Sequence, residues 1–128
     1  MSHFSQIKTQ IRNLPALESA LSDLGLDWQS GPGPVRGYQG QTETAEVVIP
    51  QSNGYDIGFR WNGEQYDLVA DVELWNQELT VERFLSKVTQ HYALHTVLST
   101  TADQGFQVAK QEQDAEGNIR LVVQRWQG

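Results

Sequence analysis

The sequence has no cysteine, which excludes disulfides, thiol catalysis and thiolate metal sites. It has three histidines, few for a metal shell built without thiolates. No run approaches the roughly 20 apolar residues that a membrane-spanning helix needs. The opening stretch MSHFSQIKTQ lacks the apolar centre of a secretory leader. Basic residues are scarce: nine Lys and Arg stand against sixteen Asp and Glu, a formal net charge of −7. That balance repels phosphate backbones and anionic membranes. Arg120 and Arg125 lie in one late run but differ in strand parity, so they make no basic stripe. The reading at this point is a soluble, cytoplasmic protein with no nucleic-acid partner, no membrane span and no cofactor.

What is present is enough for one core. The chain has 128 residues, the size of a single domain over 1–128. Its apolar content is only 38%, but four Trp, four Tyr and four Phe each bury a large area. The most informative stretch is Pro50–Trp75. Asn62-Gly63 divides two runs of alternating apolar and polar residues and predicts a two-residue hairpin turn. In that register Phe59 stands opposite Tyr66 and Ile57 opposite Leu68. Ile57, Phe59, Tyr66 and Leu68 then share a core face, while Asp56, Gly58, Arg60 and Asp67 share the other.

The remaining elements follow from local signals. His3–Ile11 reads as a strand. Asn13 caps a helix with Pro15 in its first turn and Leu14, Leu17, Leu21 and Leu24 along one stripe, ended at Gly25. Ser30–Gln41, rich in Gly and Pro, is expected to be irregular. Strands are expected over Ala45–Ile49, Tyr55–Trp61 and Glu64–Leu74. Thr80 caps a second helix whose apolar face runs through Val81, Phe84, Val88, His91, His95 and Leu98. Gly105–Gln111 and Ile119–Trp126 are strands joined by the turn DAEGN. The order β-α-β-β-β-α-β-β predicts an α+β fold. It is an antiparallel-rich sheet of about six strands, with both helices on one face and the acidic face turned to solvent or a partner.

Three groups of residues are candidates for chemistry. Arg36, Gly37, Tyr38 and Gly40 form RGYQG, where glycine lets a backbone approach closely, Arg offers a planar fork and Tyr a ring with a hydroxyl. It is not a phosphate-binding fingerprint, and the plainer reading is a loop of turns. Asp56, Arg60 and Asp67, continued by Asp71 and Glu73, could hold a cation or do acid–base work, but an ordinary solvated strand face looks the same. His91 and His95 stand one helical turn apart, as a metal pair would, with only His3 to add a third imidazole. The residue after His91 is Tyr92, where a metalloprotease helix carries Glu, so these histidines are read as core margin and no metal is assigned. The tryptophans either close the ends of the sheet or anchor a partner.

SHFSQIKTQI, VRGYQG, QSNGYDIGFRWNG, VERFL and IRLVVQRW together resemble the hypothetical chloroplast reading frame 35 family, also called domain of unknown function 1257. The likeness spans nearly the whole chain. It implies a protein of the cyanobacterial cytosol or plastid stroma and a protein partner, with an AAA-type ATPase as one candidate. It implies no activity, so no catalytic residue is carried over. The residues and the resemblance favour a small non-catalytic accessory or protein-interaction factor over an enzyme. The alternative is a small-anion-binding sensor or enzyme using Arg36, Tyr38 and the Asp56/Asp67 group. Arg36 is expected to stay exposed for a partner, so that Arg36→Ala leaves the fold and melting temperature nearly unchanged and weakens partner binding. An Arg36 drawn onto Asp56 or Asp67 predicts the opposite.

Overall fold

Caps and turns set most element boundaries. The computed structural model describes residues 3–125. In chain order the elements are β1 (Phe4–Lys8), α1 (Leu14–Asp23), β2 (Gln29–Arg36), β3 (Thr42–Pro50), β4 (Asp56–Trp61), β5 (Tyr66–Asp71), α2 (Val81–Asp103), β6 (Phe106–Gln113) and β7 (Ile119–Arg125). The expected end of the last strand at Trp126 lies outside the described residues. Asn13 Oδ1 accepts the Ala16 N–H at 3.0 Å and Thr80 Oγ1 accepts that of Arg83 at 3.2 Å, so both helices begin at the residues the sequence marks. Gly25, at φ 71°, leads the chain out of α1.

Five strands form one antiparallel sheet in the order β1-β5-β4-β3-β2, and β6 and β7 form a separate hairpin. Both helices cover the same face of the larger sheet. Leu17 and Leu21 of α1 and Phe84 and Val88 of α2 pack with Val47, Ile49, Ile57, Phe59, Tyr66 and Leu68. Each such side chain stabilises the fold by roughly 1.5–3 kcal/mol through burial. The Tyr92 hydroxyl ties α2 to the start of α1 by accepting the N–H groups of Arg12 and Asn13 at 3.0 and 3.1 Å.

Three expectations need correction. First, Gln29–Arg36 is a strand, not irregular chain. It lies at the edge of the sheet, where Pro32 and Pro34 cost no more than part of one ladder, and its register with β3 slips between Ser30 and Gly33. Second, the central hairpin is shifted by two residues: Phe59 pairs with Leu68 and Trp61 with Tyr66. A two-residue turn needs positive φ at its first central residue, and in the type I′ form at both, yet here Gly63 has it (105°) while Asn62 does not. Instead Asn62 Oδ1 accepts the N–H groups of Glu64 and Gln65, both at 2.9 Å, and closes a four-residue loop. Trp61 and Tyr66 then meet edge to face at 5.0 Å. A shift of two preserves parity, so the expected core face survives.

Third, the aspartates of the acidic face are not solvated, although Arg60 and Glu73 on it are exposed. Asp56, Asp67 and Asp71 are all buried. The sheet curls on this side, and Val35, Ala45, Val48 and Phe4 gather over it as a second small core. Gly58 makes the curl possible, because a Cβ there would drive into Val35 and the Ala45 Cβ. The two edge strands approach each other at one end: a Cβ on Gly37, just past β2, would lie 2.5 Å from the Phe4 ring of β1.

Candidate functional site

Arg36 ends β2 and Asp56 begins β4, and the curl brings them together. Arg36 Nε donates to Asp56 Oδ2 and Nη2 to Oδ1, both at 2.8 Å, and the Arg36 backbone N–H also reaches Oδ2 at 2.8 Å. Asp56 is 3% exposed, whereas the Arg36 side chain is 55% exposed. A buried carboxylate thus holds one edge of a guanidinium whose other edge meets solvent. The hydrogen bond to Asp56, and then its charge, raise Arg36 further above its already high ordinary pKa. The pair lies on a surface cleft of about 330 Å³ walled by Pro34, Val48 and Pro50, with Ser30 at its rim.

Of RGYQG only Arg36 lines this cleft; Gly37, Tyr38 and Gly40 are not among its lining residues. Gly37 is extended, gives its N–H to the Gln41 carbonyl at 2.7 Å and leaves room for the Phe4 ring. Tyr38–Gly40 is one tight turn, with Gln39 at φ 53° and Gly40 at φ 77°, and Tyr38 is half-buried. The other sequence candidates do not join Arg36 and Asp56. Arg60 pairs with Glu43 at 2.9 Å, both exposed, an interaction worth about 0–1 kcal/mol. Asp67 Oδ1 accepts from Asn62 Nδ2 at 3.0 Å. Asp71 Oδ1 caps the turn after β5 by accepting the Glu73 N–H at 3.1 Å, and its Oδ2 is buried without a hydrogen-bond partner.

His91 and His95 do face the same way, towards Asp23 at the end of α1. His91 Nδ1 lies 3.2 Å and His95 Nε2 2.6 Å from the same Asp23 oxygen. Among the described residues no group of three or more His, Asp or Glu is arranged to hold a metal ion, and no helix is long and apolar enough to cross a membrane.

Two residues with organising roles escape the sequence reading, and a third, Asn62, is marked there only as part of a turn. Asp23 joins the histidines across the two helices, and Asn62 ties the central loop to Asp67. Gln51, buried, accepts from the Asn76 N–H at 2.8 Å and from Gln77 at 3.0 Å. The NG step signals the loop at Asn62; no local pattern signals the other two. Trp28 and Trp75 are half-buried and donate their indole N–H to Ser22 and to the Leu79 carbonyl, both at 2.8 Å, which ties down sheet and helix ends. Trp61 is 39% exposed.

The family described as "Protein of unknown function (DUF1257)" matches residues 20–122. "Uncharacterized protein ycf35" of Guillardia theta is 46% identical over 126 residues, that of Cyanophora paradoxa 44% and that of Pyropia yezoensis 41%, in each case over 98% of both chains. No solved structure matches the chain. The segment carrying Arg36 and Asp56 lies inside the matched region, and the relatives align from end to end: the chain belongs to the DUF1257 family.

Proposed function

We propose that the protein is a small non-catalytic accessory factor of the cytosol or stroma that docks to a protein partner through the β2 side of its sheet, with Arg36 and Tyr38 in the contact. One observation carries the reading: a nearly fully buried Asp56 fixes an arginine whose side chain stays half exposed at the mouth of a cleft. Holding a donor group rigid at a surface lowers the entropy lost when a partner is bound. Tyr38, two residues on, adds the amphipathic ring that interface centres favour. An AAA-type ATPase is one partner to try first.

The test is capture from native lysate by tagged wild-type protein and by Tyr38→Ser, which leaves the Arg36–Asp56 pair in place. The expected result is a defined partner retained by the wild type and lost by the variant. Turnover of a small substrate, abolished by Asp56→Asn, would replace this reading with the second one, a small-anion sensor or enzyme. The pairing of Arg36 with Asp56 on a cleft favours that alternative. The separation of Asp67, held on Asn62, counts against it.

A further inference from the structure

A guanidinium has five N–H donors on two usable edges. In Arg36 the side edge, Nε and one proton of Nη2, is spent on Asp56. The end edge, Nη1 with the second proton of Nη2, has no partner among the described residues. We propose that this end edge receives a carboxylate of the protein partner, with Asp56 as the positioning residue. The inference rests on the docking reading above and names the chemical group that docks.

The geometry carries the argument. A flexible surface arginine must be ordered before it can make a two-point contact, and its long side chain has much freedom to lose. Here that ordering is already supplied by two side-chain hydrogen bonds and by the backbone N–H that pins the same carboxylate. A planar carboxylate matches the spacing of the two end-edge donors. The cleft beside the pair is lined by the apolar side chains of Pro34, Val48 and Pro50, and Ser30 lines it as well. Asp56 neutralises the charge of Arg36, so recognition depends on fixed donors rather than on long-range attraction in a molecule of net charge −7.

The test uses ¹⁵N-labelled full-length protein titrated with N-acetylglycine, N-acetylglycinamide and inorganic phosphate, while the Arg36 Nε–H resonance and the Ser30 and Val48 amides are followed. Saturable shifts with N-acetylglycine at millimolar concentration, and none with the amide, are expected. Arg36→Lys keeps the charge but not the fork and should weaken binding about tenfold, the loss of one charge-assisted hydrogen bond. Asp56→Asn should also weaken it, because the fork is no longer aimed. Tighter binding by Asp56→Asn would mean that Asp56 merely competes for the arginine, and would overturn the proposal. If Asp56→Asn does not fold, the wild-type and Arg36→Lys titrations decide. No shift with N-acetylglycine, equal binding by Arg36→Lys, or phosphate acting at lower concentration would each overturn it. A silent titration with partner capture still lost on Tyr38→Ser defeats the carboxylate assignment alone. A saturable titration with capture indifferent to Tyr38 defeats the docking reading alone.

Discussion

Arg36 shows how one residue changes meaning once its neighbour is known. The sequence places it between Pro34 and Gly37 and offers Asp56 and Asp67 as rival partners, without a way to choose. The choice is made by the curl of the sheet, which turns Asp56 under β2 and leaves Asp67 to Asn62. Removing Arg36 strands a buried carboxylate, so the expectation that Arg36→Ala leaves the fold intact is reversed. Its melting temperature should fall clearly below that of Arg60→Ala, whose exposed pair with Glu43 contributes little. Equal melting temperatures would show that Asp56 is satisfied without the side chain. Gly58 makes a second residue-scale case. A methyl group there meets Val35 and Ala45, so Gly58→Ala should cost about 1–3 kcal/mol by urea denaturation, although Ala suits a strand no worse than Gly. An unchanged midpoint would mean that the second core yields freely.

Elements were legible where their signals are local. Asn13, Thr80, Gly25 and the DAEGN turn each act within a few residues, and each does what its chemistry implies. β2 was not legible, because its extended state is imposed by β3, and the edge position that tolerates its prolines is a property of the sheet. The central register fell between these cases: NG marks a turn, but the length of the loop is decided by the Asn62 side chain and by the Trp61–Tyr66 contact. The β6–β7 turn yields a pH prediction. Asp114 accepts the backbone N–H of Asn118 at 2.9 Å and its side-chain amide at 3.1 Å, and these bonds lower its pKa below the ordinary value. A lowered carboxyl pKa stabilises the fold above the ordinary Asp value of about 3.9, and that contribution is lost as pH falls through the folded-state value. The Asn118 amide resonance should therefore hold steady from neutral pH down past that ordinary value and move only below it. In Asp114→Ala it should show no such step.

At the scale of the molecule, stability is unevenly spread. β3, β4 and β5 are central in the sheet and carry most of the buried side chains among the described residues, whereas β6 and β7 pair with each other and lean chiefly on α2. A two-stranded hairpin has little stability of its own. Amide hydrogen exchange should accordingly open β6–β7 well before β4–β5, with a smaller opening free energy. Equal protection in both would show that the hairpin belongs to the main cooperative unit. The α+β class and the common side of the two helices were readable from periodicity and element order. The burial of the aspartates on the acidic face was not, because polar residues look alike in a sequence whether they meet water or one another. The contact between Phe4 and Gly37 reaches beyond the finished structure. β1 is the first strand made, yet its partner β5 ends at Asp71, so on the ribosome it must wait for more than half the chain. Until β5 emerges the sheet can grow only through β2, β3 and β4, and β1 with its Phe4 ring has no strand of the sheet to pair with.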